Sequence, residues 1–382
     1  MKIAIIPGAF FPDPGGAQVQ AHNLSNIFNK KKIQSDILLL NKTNIKKKNY
    51  KIKYLNKFII NLVFIFDYYL NINLSFLLKI YLSQMIKKEK YQVWHFIFTN
   101  YKSLILINAL NALSQKIVVT FQGADIQINN KIHYGNRLDK KYDKLFKKTL
   151  ESIDKFTAIS NNIKHDLIKL KIKKNKIVEI PNGIPLEKFL RIKIKKKPSK
   201  RLKIITVARY AIKKKGYDLV PKVVFHLNRL NVNFEWVIIG RDTHLLYENK
   251  CVYKNREKFK ILNNLSSKEE LYFPNSKIIK EYLKSDVYVN LSRIESFGIT
   301  FVEALGANIP VITFDSKGAN EIVKNNLNGF ITRKKKVFLL CKKIAYFEKN
   351  KKKFKSNPLS SSKIYDLEFL YGKYLEIYRN LV

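Results

Sequence analysis

Residues 287–314 read VYVNLSRIESFGITFVEALGANIPVITF, and the pattern of this stretch indicates the fold class. Short β-branched runs at Val287–Asn290 and Val311–Phe314 are typical of buried strands, and the segment between them predicts a helix near Ile299–Gly306. Two buried strands joined by a helix form a parallel βαβ unit, and a parallel sheet needs helices on both of its faces. The stretch therefore predicts a doubly wound α/β domain.

The same alternation of strands and helices runs through most of the chain. In the first half, predicted strands lie at residues 2–6, 37–40, 93–98, 117–121 and 156–159, with helical patterns between them, for example at residues 18–30. After residue 200 the alternation starts again, with strands at 203–207 and 234–240 on either side of a helix at 217–230. The sequence therefore predicts two domains of the same class.

A charged stretch at residues 193–203 separates the two halves and predicts an exposed linker, because it has little apolar content. The predicted organisation is an N-terminal Rossmann-like domain at residues 1–190, a C-terminal Rossmann-like domain at 200–360 and a C-terminal helix at 361–382. Two doubly wound domains in tandem leave a cleft between them. In such sheets, ligands bind beyond the carboxyl ends of the strands.

Composition limits the class of protein. The 382 residues match two average domains, and 46% hydrophobic with 13% aromatic residues exclude a wholly disordered chain. The two cysteines are too few for a disulfide scaffold, and they lack the spacing of a zinc site.

The net charge is the outlying feature of the composition. The 73 Lys and Arg against 29 Asp and Glu give a formal charge of +44, which points towards polyanionic partners. Only 10 of the basic residues are arginine, whereas dedicated nucleic-acid binders use arginine for paired contacts to phosphate and guanine. The basic residues are spread along the chain, and no nucleic-acid-binding module is recognisable. We therefore expect no nucleic-acid partner, and a basic nucleic-acid-binding protein is the least favoured alternative.

Residues 58–82 are the most membrane-like stretch, but polar residues such as Asp67 and Lys79 interrupt it, so it does not predict a membrane-spanning segment. The first residues lack the apolar length of a secretory signal, and we expect a cytoplasmic protein. Two interpretations of residues 58–82 remain open. We favour helices that pack on the first domain over peripheral docking on an anionic inner membrane face through the lysine-rich flanks.

Two strand-to-helix turns carry residues suited to binding an anion. In the first, Gly15 and Gly16 precede a helix, where glycine lets the backbone approach a negative group. In the second, Arg209 follows a strand and Lys215 precedes the next helix, and both can clamp a diphosphate. A flexible loop is the plainer interpretation of the glycines, and a solvated lysine run is the plainer interpretation of residues 213–215.

A third turn, at residues 291–298, holds Glu295, and Glu303 lies eight residues further along, inside the predicted helix. Two carboxylates at this place can bind sugar and ribose hydroxyls, while the backbone amides of Phe297 and Gly298 face a diphosphate. An incidental glutamate in an amphipathic helix is the less favoured interpretation, because Glu303 has apolar neighbours.

Residues 295–303, ESFGITFVE, resemble the E-x7-E signature of the family-4 retaining glycosyltransferases with the GT-B fold. Four further segments resemble motifs of that family in the same order: PDPGGAQ at 12–18, IPNGIPLEKF at 180–189, the stretch 208–216, and VITFDSKGANEIVKNNLNG at 311–329. The resemblance implies two doubly wound Rossmann-like domains facing across a cleft. It also implies that the first domain lies on the acceptor side, the second binds the nucleotide-sugar, and the C-terminal helix packs back on the first domain.

The resemblance further implies roles for individual side chains. Arg209 and Lys215 would bind the donor diphosphate, Glu303 would hold the ribose hydroxyls of the nucleotide, and Glu295 would contact hydroxyls of the transferred sugar. Glu295, Arg209 and Lys215 are the expected catalytic residues.

The resemblance also implies what the backbone does. The amides at Phe297 and Gly298 would approach sugar and phosphate, and Gly16 would let the loop of the first domain reach the phosphate. Such enzymes are usually independent of metal ions, because cationic side chains and helix dipoles take the metal's electrostatic role. We therefore expect no metal and no cofactor beside the nucleotide-sugar substrate.

One position departs from the family pattern. Many relatives carry a histidine that lines the sugar site, and this chain has Gln122 in that place. Glutamine cannot become cationic, but its amide can donate to a sugar hydroxyl. Gln122 and Asp125 are candidate sugar or acceptor contacts, with a helix N-cap as the plainer interpretation of Asp125. His22 and His95 are interpreted as partly buried histidines with satisfied hydrogen bonds.

The predicted function is transfer of a hexose-type sugar from a nucleotide-sugar to a hydroxyl of a glycan or lipid-linked glycan, with retention of the anomeric configuration, in bacterial surface polysaccharide synthesis. The resemblance implies retention, and no side-chain nucleophile is evident, so a front-face route through an oxocarbenium-like ion pair is favoured. A sugar-nucleotide-binding relative without catalysis is the first alternative, motivated by Gln122. Residues 262–273 are expected to edge the base pocket, and they do not indicate which base is bound.

Overall fold

The computed structural model describes residues 1–8, 15–43, 45–196, 198–263, 270–333, 336–354 and 357–382. The chain divides into two compact units. The first unit comprises Met1–Gly183, residues 268–273 and Leu367–Val382, and the second comprises residues 184–267 and 274–366. Residue 197 of the predicted linker and residues 264–269 of the predicted base-pocket edge lie outside the described residues.

A parallel sheet forms the centre of the first unit. Its seven strands, counted within the described residues, are ordered β3-β2-β1-β4-β5-β6-β7. They are β1 Lys2–Pro7, β2 Gln34–Leu39, β3 Lys51–Tyr54, β4 Val93–Ile97, β5 Lys116–Phe121, β6 Lys155–Ala158 and β7 Ile177–Glu179. The connecting helices are α1 Gly16–Lys30, α2 Lys57–Ile65, α3 Ser75–Glu89, α4 Tyr101–Asn111, α5 Lys140–Thr149 and α6 Asn161–Lys169.

The second unit has a parallel sheet of the same kind. Where the structure describes it, the strand order is β10-β9-β8-β11-β12-β13. These strands are β8 Leu202–Val207, β9 Phe234–Ile239, β10 Phe259–Leu262, β11 Val287–Asn290, β12 Val311–Phe314 and β13 Gly329–Thr332. The helices are α7 Leu186–Arg191, α8 Val220–Arg229, α9 Lys250–Lys254, α10 Ser276–Lys284, α11 Ile299–Gly306, α12 Lys317–Ile322, α13 Val337–Lys349 and α14 Asn357–Ser362. Two Rossmann-like domains are therefore present, as predicted.

The N-terminal stretch of the first unit ends at Gly183, earlier than the boundary between residues 190 and 200 that the sequence suggests. Helix α7 follows at once, and its Leu186 and Phe189 are buried. Gly306 of α11 has no side chain, and the side chains of Ile184, Leu186 and Phe189 fill the space beside it. The chain therefore joins the second core before it reaches the charged stretch at 193–203.

The C-terminal helix, α15 Leu367–Arg379, packs on the core of the first unit, as predicted. Its Tyr378 hydroxyl lies 2.6 Å from His95 Nδ1 in a hydrogen bond, and His95 Nε2 is bonded to Thr120 Oγ1 at 2.7 Å. His95 is completely buried, and burial lowers the pKa of its imidazole to about 3. The ring is therefore neutral, and it ties the C-terminal helix to strands β4 and β5.

None of the helices within the described ranges is both long enough and apolar enough to pass through a bilayer.

Replacing Tyr378 with Phe should destabilise the first unit by about 1–3 kcal/mol, because a buried His95 nitrogen would lose its partner. Urea unfolding should be followed by the fluorescence of Trp94, the tryptophan of the first unit, in a Trp236→Phe background. Tyr371 lies on the same helix, and its hydroxyl has no hydrogen bond within the described residues. Tyr371→Phe should change the unfolding free energy by less than about 0.5 kcal/mol. Equal effects of both changes would contradict the anchoring role of the Tyr378–His95 bond.

Candidate functional site

Three neighbouring strands of the second sheet end at the place where the predicted site residues begin. Strand β8 lies beside β11, and β11 lies beside β12. After β8 the chain adds β9 and β10 on one side of β8. It then returns to the other side with β11, β12 and β13, so the strand order reverses between β8 and β11. Ligands of open parallel sheets bind beyond the carboxyl ends of the strands at such a reversal. The turns after these three strands form the candidate site.

The turn after β8 and the loop after β11 meet in an ion pair. Lys215, in the π-helical turn Ile212–Gly216, places its Nζ 2.6 Å from Glu295 Oε1, and both side chains are more than four-fifths buried. Burial by itself raises the pKa of the Glu295 carboxyl, but the charges of Lys215 and Lys214 outweigh it and hold that pKa below its usual value. The structure therefore brings two of the predicted catalytic residues together, with the carboxylate ionised.

Lys214, next to Lys215 in this turn, is a further cation of the site that the sequence did not single out. Burial, together with the neighbouring charges of Lys215 and Arg209, lowers the pKa of its ammonium to about 8, although Glu295 opposes the shift. Residues 213–215 are three consecutive lysines, so no pattern in the sequence distinguishes the partly buried Lys214 and Lys215 from the exposed Lys213.

Arg209 follows β8 and is exposed. Its guanidinium makes neither a hydrogen bond nor an ion pair with any residue that the structure describes. The charge of Arg209 contributes to lowering the pKa of Lys214, which places the two cations in the same electrostatic environment. Arg209 is therefore available to an anion at the end of β8.

Two glycines let neighbouring turns pack directly on the loop 291–298. Gly216 has φ +73°, and a Cβ at this position would overlap the carbonyl oxygen of Leu291. On the other side, a Cβ on Gly318 would overlap the carbonyl oxygen of Phe297, and the Gly318 N–H donates to the Glu295 carbonyl at 2.9 Å. The loop is thus fixed from both sides by main-chain contacts that only glycine permits.

Arg293 joins the same loop to the lysine turn. Its guanidinium donates to both carboxylate oxygens of Asp218, at 2.7 and 2.6 Å, and to the carbonyl oxygen of Lys213 at 2.8 Å. Its backbone N–H donates to the Lys214 carbonyl at 2.9 Å. Paired Arg–carboxylate bonds of this kind are strong and directional. Arg293 therefore sets the distance between the lysine turn and the loop that carries Glu295, and the sequence reasoning missed it.

The second glutamate lies inside α11. Gly298, with φ +94°, precedes the helix, and Phe297 and Gly298 are buried at its start. Glu303 is 6% exposed and accepts a hydrogen bond from the Tyr282 hydroxyl at 2.9 Å. Burial raises the pKa of the Glu303 carboxyl to about 7, although the Tyr282 bond lowers it. Glu303 is thus bonded to Tyr282 and changes its charge near neutral pH.

The predicted residues of the first unit lie in the turn after β5. The side-chain amides of Gln122 and Asn182 bond to each other in both directions, with N–O distances of 3.3 and 2.9 Å. Each amide keeps one further donor and one acceptor position, so a contact of Gln122 with a sugar hydroxyl stays a prediction. Asn182 belongs to the IPNG segment, so two of the family-like motifs meet in this unit.

Asp125 is completely buried and holds this turn together. Its carboxylate accepts hydrogen bonds from the backbone N–H groups of Gln122 at 3.0 Å, Gly123 at 2.8 Å and Thr99 at 3.2 Å. Burial raises its pKa to about 7, although these backbone bonds lower it. The geometry gives Asp125 a structural part in the turn, and a contact with sugar or acceptor stays a prediction.

The remaining candidate residues of the first unit are Gly16 and His22, both on helix α1. Helix α1 begins at Gly16, but residues 9–14 of the predicted glycine loop lie outside the described residues, so the role of Gly16 stays a prediction. His22 is buried and bonded to the Tyr50 hydroxyl at 2.6 Å, in agreement with the plainer interpretation of this histidine. In the part of the chain that the structure describes, no group of three or more His, Cys, Asp or Glu is placed to hold a metal ion. Independence from metal stays a prediction.

Comparison with protein families now identifies the chain. Residues 188–357 match the family model of the group 1 glycosyl transferases, and residues 14–188 match the model of glycosyltransferase family 4. The chain belongs to the group 1 / family 4 glycosyltransferases. The resemblance read from residues 295–303 and the four accompanying segments is therefore confirmed.

Curated relatives of this glycosyltransferase chain match over part of their length. The GPI3 subunit of phosphatidylinositol N-acetylglucosaminyltransferase from Saccharomyces cerevisiae is 23% identical over 195 residues, which is 49% of this chain and 41% of that protein. The amylovoran biosynthesis glycosyltransferase AmsK from Erwinia amylovora is 26% identical over 233 residues, 59% of this chain and 53% of that protein. The chain thus spans about two-fifths to one-half of the length of these relatives.

Solved structures extend the likeness to the whole fold. The crystal structure of Anabaena HepE in complex with UDP-glucose has a TM-score of 0.75 and 15% sequence identity, and the match covers 100% of both chains. At this identity the likeness concerns the fold, and it confirms the predicted GT-B class.

Gly318→Ala should destabilise the second unit by about 1–3 kcal/mol, because the new Cβ forces Phe297 and the loop away from α12. Unfolding should be followed through Trp236 in a Trp94→Phe background. Gly372, in the exposed part of α15, is the matched control, since a Cβ there has no neighbour within 4 Å among the described residues apart from its adjacent residues and the backbone of its own helix. Gly372→Ala, followed through Trp94, should stabilise the first unit by about 0.5–1 kcal/mol. A Gly318→Ala protein as stable as the wild type would show that the loop is not held at this contact.

Proposed function

We propose that this protein transfers a hexose-type sugar from a nucleotide-sugar donor to an acceptor hydroxyl with retention of the anomeric configuration. The observation that carries the proposal is the buried Lys215–Glu295 pair at the strand-order reversal of the second sheet, beside Lys214 and Arg209. Two lysines beside the Glu295 carboxylate, with Arg209 close enough to influence Lys214, leave an excess of positive charge, which suits a diphosphate. Membership of the glycosyltransferase family supplies the reaction class.

The donor is held by both charge and hydrogen bonds in this proposal. Arg209 and Lys215, with Lys214, bind the diphosphate, and the backbone at Phe297 and Gly298 approaches phosphate and sugar. Glu303 accepts hydrogen bonds from the ribose hydroxyls, and Glu295 accepts hydrogen bonds from hydroxyls of the transferred sugar. Because Anabaena HepE was solved with UDP-glucose, a uridine nucleotide sugar is the first donor to test.

The proposed reaction breaks the bond between the sugar C1 and the phosphate oxygen and forms a bond from C1 to the acceptor oxygen on the same face. The acceptor proton passes to the departing phosphate oxygen. Positive charge from Arg209 and Lys215 stabilises the negative charge that develops on the diphosphate, so the site contributes mainly electrostatic stabilisation. No metal ion is required in this scheme.

We infer a glycan or lipid-linked glycan as the acceptor, in bacterial surface polysaccharide synthesis at the cytoplasmic side of the membrane. Two relatives support this choice through their own activities: AmsK belongs to amylovoran biosynthesis, and GPI3 is a subunit of an enzyme named for a phosphatidylinositol acceptor. The absence of a nucleic-acid partner stays a prediction.

A second candidate function is binding of the sugar nucleotide without transfer. It is favoured by Gln122, which replaces the histidine of many relatives and is bonded to Asn182. The two candidates differ in whether donor is consumed.

Lys215→Ala and Arg209→Ala should each lower turnover about 10²–10³-fold, because each removes charge stabilisation of the departing diphosphate. Lys213→Ala is the matched control, since Lys213 belongs to the same lysine run but has an exposed side chain. Turnover should be measured as release of the nucleoside diphosphate from UDP- and GDP-sugars with and without glycan acceptors. Wild-type turnover in Lys215→Ala, or an equal loss in Lys213→Ala, would contradict the phosphate assignment.

The donor panel is first screened by thermal shift, since a ligand at about 100 times its dissociation constant adds about 2.7 kcal/mol of stability. Product configuration is then read from the anomeric proton coupling in NMR spectra. Inversion would overturn the retaining mechanism, and donor binding without nucleoside diphosphate release would establish the second candidate.

Donor affinity should depend on pH with two limbs. Below about pH 7 Glu303 becomes protonated and accepts hydrogen bonds from the ribose hydroxyls less well. Above about pH 8 Lys214 loses its charge. UDP-glucose should therefore bind most tightly between these two pH values. The diphosphate diester keeps a constant charge over this range. Calorimetric titrations from acidic to alkaline buffer should show this optimum, Glu303→Gln should flatten the acidic limb, and Lys214→Met should flatten the alkaline limb. A constant affinity in the wild type would remove both groups from the donor site.

A further inference from the structure

A helical hairpin on the first unit presents an apolar surface that packing does not use. Helix α2 continues into the π-helical turn Phe66–Leu70, and α3 returns beside it, with the Asn56 N–H donating to the Tyr81 hydroxyl at 3.0 Å. We call residues 57–89 the α2–α3 hairpin. Its inward side is apolar and buried, and this set consists of Ile60, Val63, Leu78 and Leu82.

The outward side of the α2–α3 hairpin is also apolar, but it is exposed. Its large hydrophobic side chains are between 46% and 75% exposed, and this set consists of Phe58, Ile65, Tyr69, Leu70, Ile72, Phe76 and Ile80. Single exposed hydrophobic residues are common on protein surfaces, whereas a cluster of this size in one element marks an interaction surface.

Lysines accompany this apolar surface. Lys57, Lys79, Lys87 and Lys88 are exposed, and none of the four is in an ion pair with a residue that the structure describes. On α3, Phe76, Lys79 and Ile80 follow each other at helical spacing, so cationic and apolar groups share one face.

The two acidic residues of the hairpin, Asp67 and Glu89, form hydrogen bonds or ion pairs with other residues of the first unit. Asp67 accepts a hydrogen bond from the Tyr101 hydroxyl at 2.7 Å. Glu89 is bonded to Lys2 at 3.1 Å and to Lys53, and its carboxylate is 14% exposed. The outward side of the hairpin therefore carries positive charge that no hairpin acid neutralises.

We propose that the outward side of the α2–α3 hairpin docks on an anionic lipid bilayer. A bilayer surface offers both components that this face needs: acyl chains for the aromatic and aliphatic side chains and negative headgroups for the lysines. A second copy of the hairpin would bring lysines against lysines. The proposal does not rest on glycosyl transfer, because docking is measured without donor or acceptor.

The test is co-sedimentation of the full chain with vesicles of phosphatidylcholine alone and of phosphatidylcholine mixed with phosphatidylglycerol. We expect binding to the anionic vesicles that weakens as salt rises, because surface charges are screened. The apolar variant, with Phe58, Phe76 and Ile80 changed to Ser, and the charge variant, with Lys57, Lys79, Lys87 and Lys88 changed to Gln, should each bind at least about tenfold more weakly.

Matched controls come from the second unit. Phe225, Phe338 and Leu339 are 59%, 39% and 42% exposed, and their combined change to Ser removes a comparable apolar surface. The charge control changes four exposed lysines to Gln: Lys250, Lys254, Lys349 and Lys352. Both controls should bind the anionic vesicles within about twofold of the wild type, which separates local docking from loss of total charge.

All these substitutions are on exposed side chains, and circular dichroism checks that each variant is folded. Equal binding to both vesicle types, or hairpin variants that bind as well as the controls, would overturn the proposal. So would a dimer in light scattering that the hairpin variants abolish while vesicle binding stays unchanged. Donor affinity should be the same in all variants, so a failure of docking and a failure of the proposed transfer are read separately.

Discussion

The close approach of main chain to main chain around residues 291–298 is the constraint on which the candidate site depends. Gly216 on one side and Gly318 on the other leave no room for a Cβ, so two neighbouring turns rest directly on the carbonyl groups of Leu291 and Phe297. A loop held in this way keeps little conformational freedom, and its entropy cost is met during folding rather than when a ligand binds. Glu295 lies within this loop, and Lys215 directly precedes Gly216.

The electrostatics of the site follow from that packing. Lys215 and Glu295 are buried together, so their attraction is less weakened by water than it is for surface pairs. Lys214 shares the burial but gains less from the carboxylate, and the result is a lysine whose pKa lies near 8. Arg293 and Asp218 add a rigid paired contact that keeps the lysine turn at this distance. The site is thus an organised excess of positive charge on a fixed backbone, which is what the proposed stabilisation of a departing diphosphate requires.

The basic residues that give the chain its large positive charge lie in different structural surroundings. A small part is buried in the candidate site, where its position is determined by glycine contacts and Arg293. Another part lies on the outward side of the α2–α3 hairpin, beside exposed apolar side chains. Composition alone does not distinguish these lysines, because a solvated lysine and a buried lysine have the same letter in the sequence and different surroundings in the fold.

The fold class, the family and most of the central strands could be predicted from the amino-acid sequence alone. Val287–Asn290, Ile299–Gly306 and Val311–Phe314 have the predicted bounds, because buried strands and helices leave a local hydrophobic pattern. The strands that the pattern missed are β3, β7, β10 and β13, which are the edge strands of the two sheets. Each of them has at least one position that is not buried, whereas the equally short β11 and β12 are buried throughout, so the edge strands leave a weaker apolar pattern.

Which of the candidate residues lie together became visible in the folded chain. It pairs Lys215 with Glu295, partly buries Lys214, places Gln122 in hydrogen bonds with Asn182 and joins α7 to the second unit. These features depend on residues that are far apart in sequence, for example the 80 positions between Lys215 and Glu295. A motif indicates which residue types are present, but burial and charge pairing arise from packing between turns of different strands. The sequence therefore indicates the kind of site that we propose, and the folded chain shows which of the candidate residues lie together and how their surroundings shift their ionisation.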